Sequence, residues 1–167
     1  MRIRYMTRCA IFVGAMALCA WLAVPLAGVP VTMQTLGFFL ALGLLGSRLG
    51  MVTVGVYLII GAVGLPVFSG FQGGFAILLG PTGGFLWGFL IAAGLNWLLE
   101  KWVPLWVRMV LCQLVIYLCG LIWFSFLYGE SLWAVAMVTV LPYLLPDAAK
   151  LILSLFLILK LRQHLYH

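Results

Sequence analysis

Asp147 and Lys150 stand three residues apart in "LPYLLPDAAK", residues 141–150, within a chain that carries only three acidic residues against nine Lys or Arg. An acid and a base at that spacing share one face of a helix. In apolar surroundings, ionisable groups are costly unless they pair or line a polar cavity, so such a pair marks a functional site by default. The chemistry it offers is recognition. A carboxylate accepts from N–H groups, and an ammonium donates to an oxygen acceptor or neutralises a carboxylate. Pro146 suits a first helical position, and the helix N-terminus favours the charge of Asp147. The competing reading is a local ion pair that only neutralises itself.

Other chemistry is hard to find. No GxxxxGK[ST] loop, GxSxG elbow or HExxH pair occurs, which removes ATP hydrolysis by a Walker loop and argues against an enzyme. The tail "HLYH" has a spacing that suits a metal, but terminal histidines such as His164 and His167 are more often solvated, so no metal or other cofactor is expected. Cys9, Cys19, Cys112 and Cys119 sit in apolar context without CxxC spacing, which indicates packing rather than a disulfide framework.

The elements that must position the pair are membrane helices. The chain is 66% hydrophobic and 7% charged, far from the soluble average of about a quarter charged. Apolar runs and their punctuation predict six helices, near 8–24, 34–46, 50–64, 83–100, 105–127 and 146–163, in one domain over residues 1–167, with a short helix between the last two. The second is shorter than a full span, so tilt or a buried loop must complete it. The first is membrane-length, which favours a retained helix over a cleaved leader. Arg2, Arg4, Arg8, Arg48, Lys101, Arg108, Lys160 and Arg162 all map to one side, and the 25–33, 65–82 and 128–145 connections carry no Lys or Arg. The positive-inside rule then makes both termini cytoplasmic and places the pair at the outer end. Bases at helix ends rather than in a patch set topology and argue against nucleic acid.

The connections hold the remaining candidates. In "GLPVFSGFQGGFAILLGPTGGFLWGF", residues 64–89, Gly70 and Gly74, then Gly80, Gly84 and Gly88, recur every fourth position, the pattern of close helix approach. Gly73 and Gly74 fall in an outer loop, where glycine serves either a tight turn or a backbone pressed on a ligand. Gln34 offers an acceptor and two donors, as an amide-like or ureido ligand requires, while Thr32 or Thr35 would cap the second helix. On the first helix Ala10, Gly14 and Ala15 form small-residue faces fit for internal packing or a membrane partner.

"VPVTMQTLG", "GLLGSRLGMVTVGVYLIIGAVGLPVF" and "LLGPTGGFLWGF" resemble the BioY family, the biotin-binding S components of energy-coupling factor (ECF) transporters. The likeness is almost continuous over residues 29–90 and returns at 142–150. It implies an all-α, six-helix bundle in a prokaryotic cytoplasmic membrane that captures biotin from outside. The loop after helix 1 would act as a lid containing Gln34, and Asp147 and Lys150 would hold polar parts of biotin. The resemblance also implies a transmembrane coupling subunit and two cytoplasmic ATPase subunits, with Ala10, Gly14 and Ala15 meeting the coupling subunit. One departure is that the family usually reads Pro-Gly-Asp where this chain has Leu145-Pro146-Asp147. For biotin, Asp147 suits the ureido N–H groups and Lys150 an oxygen or the carboxylate. Tyr57, Phe71, Phe75 and Trp133 would supply apolar walls, although Trp133 equally suits the membrane interface. Two other classes remain: a solitary channel or facilitator whose path the pair lines, and a scaffold whose glycines only pack helices.

Overall fold

The structure is a computed structural model describing residues 2–24 and 30–165. Six long or medium helices form the bundle: α1 (Arg2–Trp21), α2 (Gln34–Leu45), α3 (Ser47–Ala62), α5 (Gly83–Leu98), α6 (Leu105–Tyr128) and α8 (Leu144–Leu165). Two short ones, α4 (Phe75–Leu79) and α7 (Leu132–Thr139), lie in the connections expected to face outward, α7 where the short helix was anticipated.

The boundaries differ from expectation in three instructive places. First, α1 begins at Arg2 rather than near 8, because the exposed basic residues ahead of the apolar run are good helix formers. Next, α1 ends at Trp21 rather than near 24: Ala23–Val24 (β1) pairs antiparallel with Val31–Thr32 (β2) of the 25–33 connection, and the Met33 amide donates to Leu22 O at 3.0 Å. Last, α8 starts at Leu144, so Pro146 is its third residue, still within the first turn where an amide has no intrahelical partner to lose.

α2 has 12 residues, about 18 Å of helix against a hydrocarbon core of about 30 Å. The β1–β2 hairpin precedes it and satisfies its own backbone pairs, as irregular backbone near a bilayer must. Among the described residues only Ile3–Trp21 and Leu105–Tyr128 are long and apolar enough to cross a membrane unaided. The others are shorter, or like α8 carry charge at both ends, and depend on their neighbours.

The core joins Phe38, Phe39, Tyr57, Phe89, Met109, Ile116 and Ile158, from α2, α3, α5, α6 and α8. α5 and α6 make the most extensive helix pair. A Cβ at Gly84 would collide with the Trp123 side chain, and one at Gly88 would lie 3.0 Å from Ile116 Cα. These two glycines thus let the helices approach, as their spacing predicts.

Candidate biotin-binding site

Asp147, fourth residue of α8, and Lys150, one turn on, are 6% and 5% exposed. Lys150 Nζ donates to Asp147 Oδ1 at 2.6 Å. The carboxylate takes more than this local bond, because α6 approaches the first turn of α8. Tyr117 Oη donates to Asp147 Oδ2 at 2.7 Å, and Gln113 Nε2 donates to the same oxygen at 3.2 Å. Gln113 and Tyr117 are four apart on α6, hence on one face. Three donors converge on one carboxylate and fix it in position.

This cluster forms part of the wall of a cavity of about 460 Å³, within the range of small-molecule sites, roughly 300–1,000 Å³. Trp21, Phe85, Leu86, Phe89 and Ile116 give it apolar surface; Gln34, Thr35, Thr139 and Tyr143 add polar groups. The arrangement suits a small ligand with an apolar body and a few polar atoms.

Gln34 lines the cavity from the first turn of α2, and its orientation is determined by its neighbours. The Tyr57 hydroxyl donates to Val67 O at 2.8 Å, so it must accept from Gln34 Nε2, also at 2.8 Å. Thr32 Oγ1 meanwhile accepts from the Gln34 backbone N–H at 3.3 Å as a turn contact, but the N-cap of α2 is Met33 with no side-chain cap bond, so the expected capping by Thr32 or Thr35 is not found.

Of the expected contacts, Gln34, Asp147 and Lys150 come together, and the others lie off the cavity wall. Tyr57 is fully buried behind Gln34 and acts by positioning it. Phe71 is 64% exposed, with its ring stacked on the outer side of Trp21 at 4.7 Å between centroids. Phe75 is 57% exposed at the start of α4, and Trp133 is exposed on α7. Gly73 packs against Leu65 O, which a Cβ would strike; Gly74, at φ +106°, makes a turn that L side chains resist and donates to Gly61 O at 2.7 Å. Those two glycines shape the loop, whereas Gly70 reaches the cavity. Of the 25–33 connection expected to form a lid, residues 25–29 lie outside the described residues.

The unanticipated lining residues Gln113 and Tyr117 did leave a signal. Both are hydrogen-bonding side chains in a largely apolar helix, at the spacing of one face. Ala10 and Gly14 are exposed on α1, with open space where a Gly14 Cβ would stand, and Ala15 is half-buried.

The BioY family model matches residues 1–167. The chain belongs to the BioY family. It is 33% identical over 164 residues to the biotin transporter BioY of Thermotoga maritima, covering 96% of each chain. To the biotin transporter BioY2 of Lactococcus lactis it is 32% identical over 168 residues, covering 97% of this chain and 92% of the relative. A solved structure, the crystal structure of the S-component for biotin from an ECF-type ABC transporter, superposes with a TM-score of 0.87 at 28% identity. That superposition covers 97% of this chain and 92% of the other. The BioY family is one of transporters rather than enzymes, and the fold is that of an ECF S-component.

Proposed function

We propose that this membrane protein captures biotin as the substrate-specific subunit of an ECF transporter. The observation that carries the reading is the cavity whose wall holds the buried Asp147–Lys150 pair, in a chain of the BioY family. Biotin is the cargo, and no cofactor is required. Its ureido N–H groups match Asp147 as acceptor, its rings and chain match Trp21, Phe85 and Phe89, and Lys150 offers a donor to an oxygen. Gln34 adds a second amide on the α2 side. The solved relative is a component of an ECF-type transporter, which favours capture with external energy over a solitary channel.

Calorimetric titration of biotin into the detergent-purified chain, with Asp147→Asn in parallel, tests this directly. Tight one-to-one binding is expected, weakened about tens-fold or more in the variant, as for loss of a hydrogen bond to a charged group. A folded wild type that does not bind biotin refutes the capture reading; an unweakened variant removes Asp147 from the site.

The partners follow as a coupling subunit in the membrane and two ATPase subunits in the cytoplasm. The open, small-residue surface at Ala10 and Gly14, bordered by Ala15, suits close approach of another membrane helix. Both termini face the cytoplasm of a prokaryotic cell, because the basic residues other than Lys150 fall early in α1, at the α2–α3 junction, around the α5–α6 turn and late in α8. Gly14→Leu is expected to leave biotin affinity unchanged and to abolish co-purification with the coupling subunit. Undiminished co-purification would move the docking surface elsewhere.

A further inference from the structure

Buried polar atoms without partners are rare in folded chains, and each calls for a physical explanation. Among the described residues three buried side-chain nitrogen or oxygen atoms have none: Thr35 Oγ1, Gln113 Oε1 and Arg108 Nε. Two of the three belong to residues that line the same cavity, Thr35 from α2 and Gln113 from α6.

The Gln113 atom is the more informative because its chemical sign is fixed. An amide presents a donor end and an acceptor end, and Asp147 Oδ2 engages the donor end, Nε2. A carboxylate cannot donate, so the amide cannot reverse without losing that bond. Oε1 is therefore held as an unmatched acceptor by the same contact that helps hold Asp147. A hydroxyl such as that of Thr35 both donates and accepts, so it places no sign on the ligand atom beside it.

Building on the biotin reading, we propose that Gln113 is a specificity residue whose Oε1 accepts from a ureido N–H of the ligand. Asp147 and Gln113 then form two adjacent acceptors facing a group that has two N–H donors. Such a site rejects ligands that keep the shape of biotin and lose a donor, because a buried acceptor would stay unmatched. Dethiobiotin, which lacks the sulfur and keeps both N–H groups, retains the polar match.

The test is a cycle of wild type and Gln113→Met against biotin and two analogues, each methylated on one ureido nitrogen, with affinities measured by calorimetry. In the wild type, methylation of the nitrogen facing Gln113 is expected to weaken binding by about ten- to a hundredfold. Gln113→Met is expected to weaken biotin by about tenfold and to shrink the penalty of that same methylation, since the contact is already absent. Equal methylation penalties in both proteins would mean that Gln113 acts only through Asp147, and would overturn the proposal. If the variant fails to fold, the wild type still decides: tight binding of both methylated analogues overturns it. A wild type that binds no biotin overturns the capture reading and this inference together, whereas one that binds biotin and tolerates both methylations overturns this inference alone.

Discussion

The two ends of the bundle bury charge in opposite ways. At the cavity end, Asp147 is matched by an ammonium, a hydroxyl and an amide, and Gln113, which lines the cavity, keeps an acceptor without a partner. At the other end Arg108, 7% exposed, forms no ion pair among the described residues. Its Nη1 donates to Ser47 Oγ at 2.9 Å, Asn96 Oδ1 at 3.2 Å and Asn96 O at 3.3 Å, joining α3, α5 and α6. Arg162 of α8 clamps Gly43 O of α2 nearby, with Nε at 3.0 Å and Nη2 at 2.6 Å. Neither arginine lines the cavity. Burial of a charge alone therefore does not distinguish the two ends; lining the cavity does. Dipoles of neutral groups suffice for a cation whose role is to tie helices, while a site that meets a changing occupant keeps a full counter-charge.

Three substitutions put that contrast under strain. The largest effect is expected from Lys150→Met, which strands the Asp147 carboxylate and should cost about 3–5 kcal/mol of stability in denaturant unfolding in detergent. Adding Asp147→Asn should recover most of that stability without restoring biotin affinity; an unchanged single variant would mean that the pair is not coupled. At the opposite end, Arg108→Met leaves Asn96 Oδ1 without its donor, while Ser47 Oγ keeps the bond from Asn96 Nδ2, and should cost about 1–3 kcal/mol. Because that end is remote from the cavity, its biotin affinity should stay within about twofold of wild type. A tenfold loss there would join the two ends into one functional unit and dissolve the contrast. The smallest effect belongs to Phe75→Ala, an exposed residue off the cavity wall, expected within about 0.5 kcal/mol in stability and unaltered in affinity.

The Asp147–Lys150 pair was legible because charge is rare in this chain and three residues is a helical spacing. The six bundle helices were legible for a similar reason, since apolar runs and punctuation report spans. Arg108 was placed correctly at one end and misread in kind: sequence made it a base flanking a turn, and Ser47 and Asn96, 61 and 12 residues away, make it a buried tie. The aromatic candidates Phe71 and Phe75 show a different limit. In a glycine-rich connection no period tells which way a ring points, and tertiary packing sends both outward. The β1–β2 hairpin was hidden because its strands have two residues each and owe their existence to pairing, not propensity. Gln113 and Tyr117 carry a legible signal too, as uncharged hydrogen-bonding side chains one turn apart in α6.

Trp21 closes one wall of the cavity while its indole N–H donates to Pro66 O at 2.8 Å and its ring stacks on Phe71, whose backbone has φ +58°. Of the seven tryptophans in the chain it alone lines that cavity. The indole is held between the ligand space on one side and a strained loop residue on the other. An emitter so placed senses both filling of the space and movement of the loop, so the molecule carries its own optical gauge of occupancy at the end of α1.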